Sequence, residues 1–192
     1  MTSVVGGAET SLRNLRDRPF ELLKELEKRS RAVTAGNVAQ TAAGPEWVGV
    51  AFRMGGETFL VAREETREVL GYPAAVTRIP GAKNWVKGLA NVRGQLLPMV
   101  DLRQFLGSGA TASGRNTRVV VVNHREIPAG LMVDEVLGFR RFAEAEFDPE
   151  APPTVIRCDS YLAGAFRRGG EVWPVLSLKS LVESQSFLQA AS

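Results

Sequence analysis

The chain has 192 residues, 44% hydrophobic and 23% charged, with a formal net charge of +3 at pH 7, a balance that suits a globular protein with its own core and excludes a disordered one. No apolar run approaches the roughly 18 residues a membrane-spanning helix needs, and no basic segment followed by an apolar stretch marks a secretory signal, so a cytoplasmic protein without membrane insertion is expected. The positive excess is spread evenly, with seven Lys/Arg against six Asp/Glu over residues 1–46, which leaves no clustered basic face for nucleic acid.

Residues 1–17 are small, polar and mixed in charge, the texture of a loose terminus. Pro19 to Arg31 predicts a helix: proline suits its first turn, Glu21 lies at the positive end, and Lys28, Arg29 and Arg31 lie at the negative end. Phe20, Leu23 and Leu26 share one face, which either packs on the protein's own body or docks a partner. Ala32 to Pro45 carries no periodicity and reads as a linker, so residues 1–45 form an extension ahead of a domain spanning 46–188.

From Trp47 the pattern changes. Val48, Val50 and Phe52 alternate with Gly49 and Ala51, and Thr58 to Ala62 returns beyond the Gly55-Gly56 turn, which predicts a hairpin. Arg63 to Leu70 suits either one helical turn or an extended edge. Val76 to Ile79 is a short strand before Pro80-Gly81. Trp85, Val86 and Leu89 have helical spacing, so Asn84 to Ala90 predicts a short helix or turn. The chain turns at Asn91-Val92-Arg93-Gly94 and enters a strand over Gln95 to Leu102, in which Leu96 to Val100 looks buried. Pro98 cannot donate to a ladder and predicts an edge or a bulge there. A single placed charge, Asp101, ends the apolar run.

Gly107 to Arg115 reads as an exposed loop. Arg118 to Asn123 and Ala129 to Val133 predict a second hairpin, and Val136 to Phe142 a strand with Gly138 as a bulge. Phe147 to Pro153 is loop. Thr154 to Cys158, Tyr161 to Phe166 and Val172 to Leu176 read as strands, the last two joined at Arg167-Arg168-Gly169-Gly170. Ser177 caps a final helix with Leu178, Leu181, Val182 and Leu188 inward. Nine or ten short, closely spaced strands predict small β-barrels or a sandwich.

Chemistry is sparse. One cysteine, Cys158, excludes an internal disulfide and suits a small hydrophobe in a strand. One histidine, His124, cannot with one cysteine build a metal cluster, so no metal or cofactor is expected. No phosphate loop and no nucleophile elbow appear. Asp134 and Glu135 point to opposite faces of a presumed strand and cannot act as a carboxylate pair. A hydrolase would have to rest on Cys158 or His124 alone. Recognition remains: Arg93, in a turn, presents a rigid fork of donors, and Glu68 is its candidate partner.

The order Gly55-Gly56, Glu68-Val69, Thr77-Arg78-Ile79-Pro80, Val86-Lys87-Gly88-Leu89-Ala90-Asn91-Val92-Arg93-Gly94 and Leu97-Pro98-Met99-Val100-Asp101-Leu102-Arg103 resembles the CheW family of chemotaxis coupling proteins. Arg118 to Val122 and Gly130-Leu131-Met132-Val133-Asp134 continue the match, which covers about residues 46–185. The extension Arg18 to Leu23, with Thr77 to Gly81, is similar to the type IV pilus, or twitching-motility, branch of PilI-like adaptors.

The resemblance implies a mostly β fold of two intertwined five-stranded SH3-like barrels with an N-terminal and a C-terminal helix. It implies a non-catalytic adaptor, monomeric outside its array, between the cytoplasmic tip of a methyl-accepting chemoreceptor and the regulatory domain of a CheA-type histidine kinase. Receptor-side residues carry over as Glu68, Gly88 and Arg93, with Leu89 and Val92 as apolar neighbours; Asn91, Gly94, Pro98 and Asp101 shape the turn and strand. Thr66 stands where the family commonly has a branched apolar residue, and no kinase-side residue carries over. The alternative is a stand-alone β-barrel scaffold or peptide-binding module with no kinase partner.

Overall fold

A computed structural model describes residues 45–190; the expected Pro19–Arg31 helix, with Phe20, Leu23 and Leu26, lies outside them. The first hairpin follows from its glycines. Strand β1 (Glu46–Met54) pairs antiparallel with β2 (Glu57–Ala62). Gly55 and Gly56 link them with φ of 60° and 90°, the two positive values a type I′ loop requires. Arg63 to Leu70 then takes both forms its sequence allows: a 3₁₀ turn at Arg63–Glu65, then edge strand β3 (Thr66–Gly71).

The middle of the chain builds a second sheet from β3, β4 (Val86–Val92), β5 (Gln95–Asp101), β6 (Arg118–Val122) and β7 (Gly130–Val133), in the order β3-β6-β7-β5-β4. The chain then returns to the first sheet with β8 (Glu135–Ala143), β9 (Phe147–Asp148), β10 (Leu162–Arg168) and β11 (Glu171–Leu176). There the order is β8-β1-β2-β11-β10-β9. One sheet thus takes both flanks of the domain and the other its middle, the intertwined two-barrel architecture expected, with the two-residue β9 as a sixth strand. Short helices α1 (Leu102–Phe105), α2 (Leu178–Val182) and α3 (Gln185–Leu188) complete it.

The central strands of such a fold are buried on both faces. In β1, Val50, Phe52 and Met54 join a core shared with Val100, Val120 and Leu131 of the second sheet and Leu178 and Leu181 of α2. Ala51 on the opposite face packs with Leu60, Phe142 and Phe166 inside the first barrel. The four valines Val119–Val122 divide the same way between the shared core and a cluster with Ala90, Leu97 and Met99. Burial of each such side chain contributes roughly 1.5–3 kcal/mol, and burial on both faces is why this run shows no polar alternation.

Several local expectations are corrected. Asn84–Ala90 is no helix: Gly88 has a φ of 136°, outside the helical region, and β4 bulges between Val86 and Gly88 opposite β5. Trp85, in the turn just before β4, joins a ring cluster with Phe105 and Phe187. Val76–Ile79 forms only an isolated bridge, Thr77 to Leu89. Pro98 lies in an internal strand, between β4 and β7. Its partner Leu89 turns both backbone groups away, to Thr77, and β7 begins only opposite Met99, so no ladder bond needs the missing N–H.

Thr154–Cys158 forms no strand, because the Glu57 carboxylate accepts the N–H groups of Val155 and Ile156 at 3.0 and 3.1 Å. Cys158 is buried in this loop, and burial pushes its thiol up, away from the reactive thiolate. Ser184 caps a new helix after α2, so Phe187 is buried and Leu188 exposed, the reverse of the continuous-helix expectation. Asp134 and Glu135 make separate contacts: Asp134 accepts from the Gly55 N–H at 2.7 Å and Glu135 pairs with Arg53 at 2.9 Å.

The Gly107–Arg115 loop is not wholly exposed either. Thr111 is buried, donating its N–H and hydroxyl to Asp101 at 3.0 and 2.9 Å. Asp101 is itself fully buried, caps α1 through the Gln104 N–H at 3.1 Å, and pairs with the Lys87 ammonium at 3.1 Å. Removing that carboxylate loses a cap and leaves buried donors unmet. Asp101→Ala is therefore expected to lower unfolding free energy by about 3 kcal/mol, read as a lower urea midpoint with an unchanged slope; a loss under about 1 kcal/mol would contradict this account.

On the first sheet, Arg168 binds Glu146 through two nitrogens and lies over the Phe142 ring. The Arg168 hydrogen bond is the main cause that lowers the Glu146 carboxyl to about 2. A depressed folded-state pKa adds stability above the unfolded carboxylate range and loses it as pH falls through the folded value. The stability difference between wild type and Glu146→Gln should therefore be full at pH 6 and shrink steadily below about pH 4, as thermal unfolding across a pH series would show.

Candidate functional site

The site is built on the β4–β5 hairpin. Val92 pairs with Gln95, which leaves Arg93 and Gly94 as a two-residue loop with φ of 53° and 83°. That is again type I′, which twists with its strands and prefers Asn and Gly. Here the Asn stands two positions early: the Asn91 side-chain oxygen accepts the Gly94 N–H at 2.8 Å and closes the turn. Arg93 is the one non-glycine residue with positive φ among the described residues, a conformation costing about 1–2 kcal/mol for a residue with a Cβ.

Strain at this point fixes a direction. The Arg93 guanidinium meets the Glu68 carboxylate at 2.9 Å, with the arginine side chain 77% exposed and the glutamate 21%. Glu68 lies on β3 and Arg93 follows β4, the two edges of the five-stranded sheet. The pair therefore bridges the seam where that sheet curls back on itself. Leu70 and Tyr72 from the β3 side pack with Ala90, Leu97 and Val92 from the hairpin beneath it. Burial, then the Asp101 charge, raises the Tyr72 phenol above its ordinary range.

The other expected residues divide. Val92 is half-buried and lines a groove of about 620 Å³ with Glu68 and Arg93. Leu89 is half-buried and exchanges both backbone hydrogen bonds with Thr77 at 2.8 Å. Gly88 is buried rather than displayed: a Cβ there would stand 2.1 Å from the Thr77 carbonyl oxygen. Its geometry is that of a close backbone approach holding Val76–Thr77 over β4. Thr66 caps the 3₁₀ turn by donating to the Ala62 carbonyl at 3.3 Å.

Three further residues line the groove without belonging to any motif. Leu96, expected within the buried strand, is 67% exposed beside Arg93. Arg67 is the extra residue of a bulge, since Thr66 pairs with Val122 and Glu68 with Val121. Arg125 reaches the groove from the β6–β7 connection. Gln95-Leu96-Leu97 does not alternate, and a bulge and a connecting turn leave no periodic mark, so no sequence pattern singled out any of the three. His124 sits nearby in a structural role, bonded to Glu183 at 3.1 Å and accepting the Ile127 N–H at 3.1 Å.

Two intertwined SH3-like barrels, with an ion-paired hairpin closing the edges of one sheet, define the class of fold. The CheW-like domain family matches residues 48–186, and the chain belongs to that family. It is 42% identical to Protein PilI of Pseudomonas aeruginosa, over 90% of this chain and 96% of that one, which places it in the PilI-like branch. It is 26% identical to the chemotaxis protein CheW of Klebsiella aerogenes, over 79% of this chain and 90% of that one. The crystal structure of the scaffolding protein TtCheW from Thermoanaerobacter tengcongensis shares the fold, with a TM-score of 0.65 at 24% identity, covering 74% of this chain and 96% of that one.

Two substitutions separate scaffold from surface in this hairpin. Gly88→Ala is expected to cost about 2–3 kcal/mol, as a strained and clashing position does, whereas Arg93→Ala removes an exposed ion pair worth about 0–1 kcal/mol. Denaturant titration of both variants checks the contrast; equal losses would contradict it.

Proposed function

We propose that this protein is a non-catalytic adaptor that couples a methyl-accepting chemoreceptor to the regulatory domain of a CheA-type histidine kinase, in the chemosensory system controlling type IV pilus motility. The observation that carries the proposal is the Arg93–Glu68 pair, held by a strained turn across the seam of a barrel and exposed beside apolar Val92 and Leu96. A fixed charge pair amid apolar surface sets the register of a partner and rejects wrong ones more than it adds affinity. Family membership and similarity to PilI supply the partner classes. Among the described residues no helix is long and apolar enough to cross a membrane; the protein works in the cytoplasm, on membrane-bound receptor arrays.

Residues 46–188 are the coupling domain in this proposal. Residues 1–45 are an extension in which Phe20, Leu23 and Leu26, outside the described residues, are assigned to docking a partner. Outside the array the protein is a monomer. An adaptor without chemistry can change a kinase's output only by binding its states unequally, typically with about 1–3 kcal/mol of coupling. Rigid barrels suit this, because a displacement imposed at one surface is not absorbed in between.

The test is co-sedimentation of the full chain with a receptor signalling-tip fragment and, separately, with the kinase regulatory domain. Arg93→Ala is expected to reduce receptor capture about tenfold or more, the range for losing a central charged contact, while kinase capture is unchanged. A folded variant that captures receptor as well as wild type overturns the role of Arg93.

A further inference from the structure

We infer that the groove beside Arg93 selects its partner by charge: it fits a helix whose apolar stripe is flanked by carboxylates, and Arg67 and Arg125 are the residues that select it. The inference rests on the receptor reading above and names the chemistry of the segment bound. The groove, about 620 Å³, has an apolar part formed by Val92, Leu96 and Leu97, and its charged lining residues are Arg67, Glu68, Arg93 and Arg125, with His124 beside them. Glu68 is already matched by Arg93, and His124 is matched by Glu183. Among the described residues Arg67 and Arg125 form no ion pair, and both are exposed. Two unmatched cations beside an apolar strip favour a partner that brings carboxylates.

Local backbone structure places these cations. Arg67 is the bulged residue of edge strand β3, between Thr66 paired to Val122 and Glu68 paired to Val121. A bulge re-aims a side chain and interrupts the regular edge, so an added β-strand is disfavoured there and a helix lying in the groove is favoured. Arg125 stands across the groove's β6 side, in a turn fixed by the Glu126 and Ile127 N–H groups donating to His124 Nδ1 at 3.3 and 3.1 Å. Glu126, next in the turn, does not line the groove.

The experiment measures affinity of the full chain for the same receptor signalling-tip fragment at about 50 and about 300 mM salt, a range over which screening changes strongly. Wild type is compared with Arg67→Gln, Arg125→Gln and the double variant, with kinase regulatory-domain binding as the control for folding. Wild-type affinity should fall with salt. The double variant should bind about tenfold more weakly at low salt and lose most of the salt dependence, with kinase binding unchanged. A double-charge reversal, Arg67→Glu with Arg125→Glu, should be rescued by a receptor fragment whose surface carboxylates are changed to lysine. Wild-type affinity and salt dependence retained in the double variant overturn the charge selection and leave the receptor reading standing. A wild-type chain that binds kinase and no receptor fragment overturns both.

Discussion

The geometry of the whole hairpin depends on one buried carboxylate. Asp101 has no exposed surface, yet it meets a helix N-terminus, the two donors of Thr111 and the Lys87 ammonium, while its own N–H donates to the Trp85 carbonyl at 2.8 Å. The partners come from three pieces of the second barrel: the start of β4 with Trp85 just before it, α1, and the loop before β6. A charge in such a place would be costly unless fully satisfied, and it is satisfied by groups that can reach it in only one arrangement of β4 against β5. The register that results runs up the hairpin to Val92 opposite Gln95 and leaves two residues for the turn. Arg93 is therefore aimed from the base of the hairpin as much as from its tip.

The two barrels are tied by a similar device where the chain passes between them. It leaves the first sheet at Glu65, whose carboxylate accepts from the Leu178 N–H at 2.5 Å and the Ser177 hydroxyl at 3.2 Å. It returns at Asp134, whose carboxylate accepts from Gly55 and whose N–H donates to the Arg53 carbonyl at 3.2 Å. Both crossings are thus pinned back to the sheet being left or entered. One hydrophobic cluster takes residues from both sheets and from α2 and α3, so the two barrels share a core besides the smaller cluster inside each. Relative motion of the barrels would have to open that shared cluster, a rigidity that suits the relay proposed above.

How much of this was legible followed from whether the signal was local. Glycine pairs at 55–56 and 169–170 announced type I′ hairpins because positive φ is a property of the residue itself. The Glu68–Arg93 pair was reachable from side-chain chemistry and the family resemblance together. What misled was spacing: Trp85, Val86 and Leu89 fit a helical face, but Gly88 serves a close approach to Thr77, a partner eleven residues upstream that no periodicity reveals. Pro98 pointed to an edge or a bulge because proline lacks a donor; the strand is internal, the bulge falls in β4 opposite it, and the proline nitrogen sits where no neighbour asks for a donor. Arg67 was invisible for the same reason in reverse, since a bulge exists only relative to the strand it faces.

Electrostatics then decides how the hairpin and its surroundings divide their roles. An exposed Arg–Glu pair contributes little to stability, about 0–1 kcal/mol, so the cost of holding Arg93 at positive φ finds no repayment in that pair. That backbone strain is carried by the buried contacts beneath it, where Leu97, Met99 and Ala90 pack with Val119 and Val121. A residue held in an unfavourable conformation by its surroundings, with its charged end exposed, is arranged for something outside the chain. Neutralising Glu68 within that arrangement has a second effect. It removes the one carboxylate lining the groove from competition for a cation, so that the field a partner meets is set by Arg67 and Arg125. In the proposed complex the pair fixes position, and the flanking arginines set the sign of what can approach.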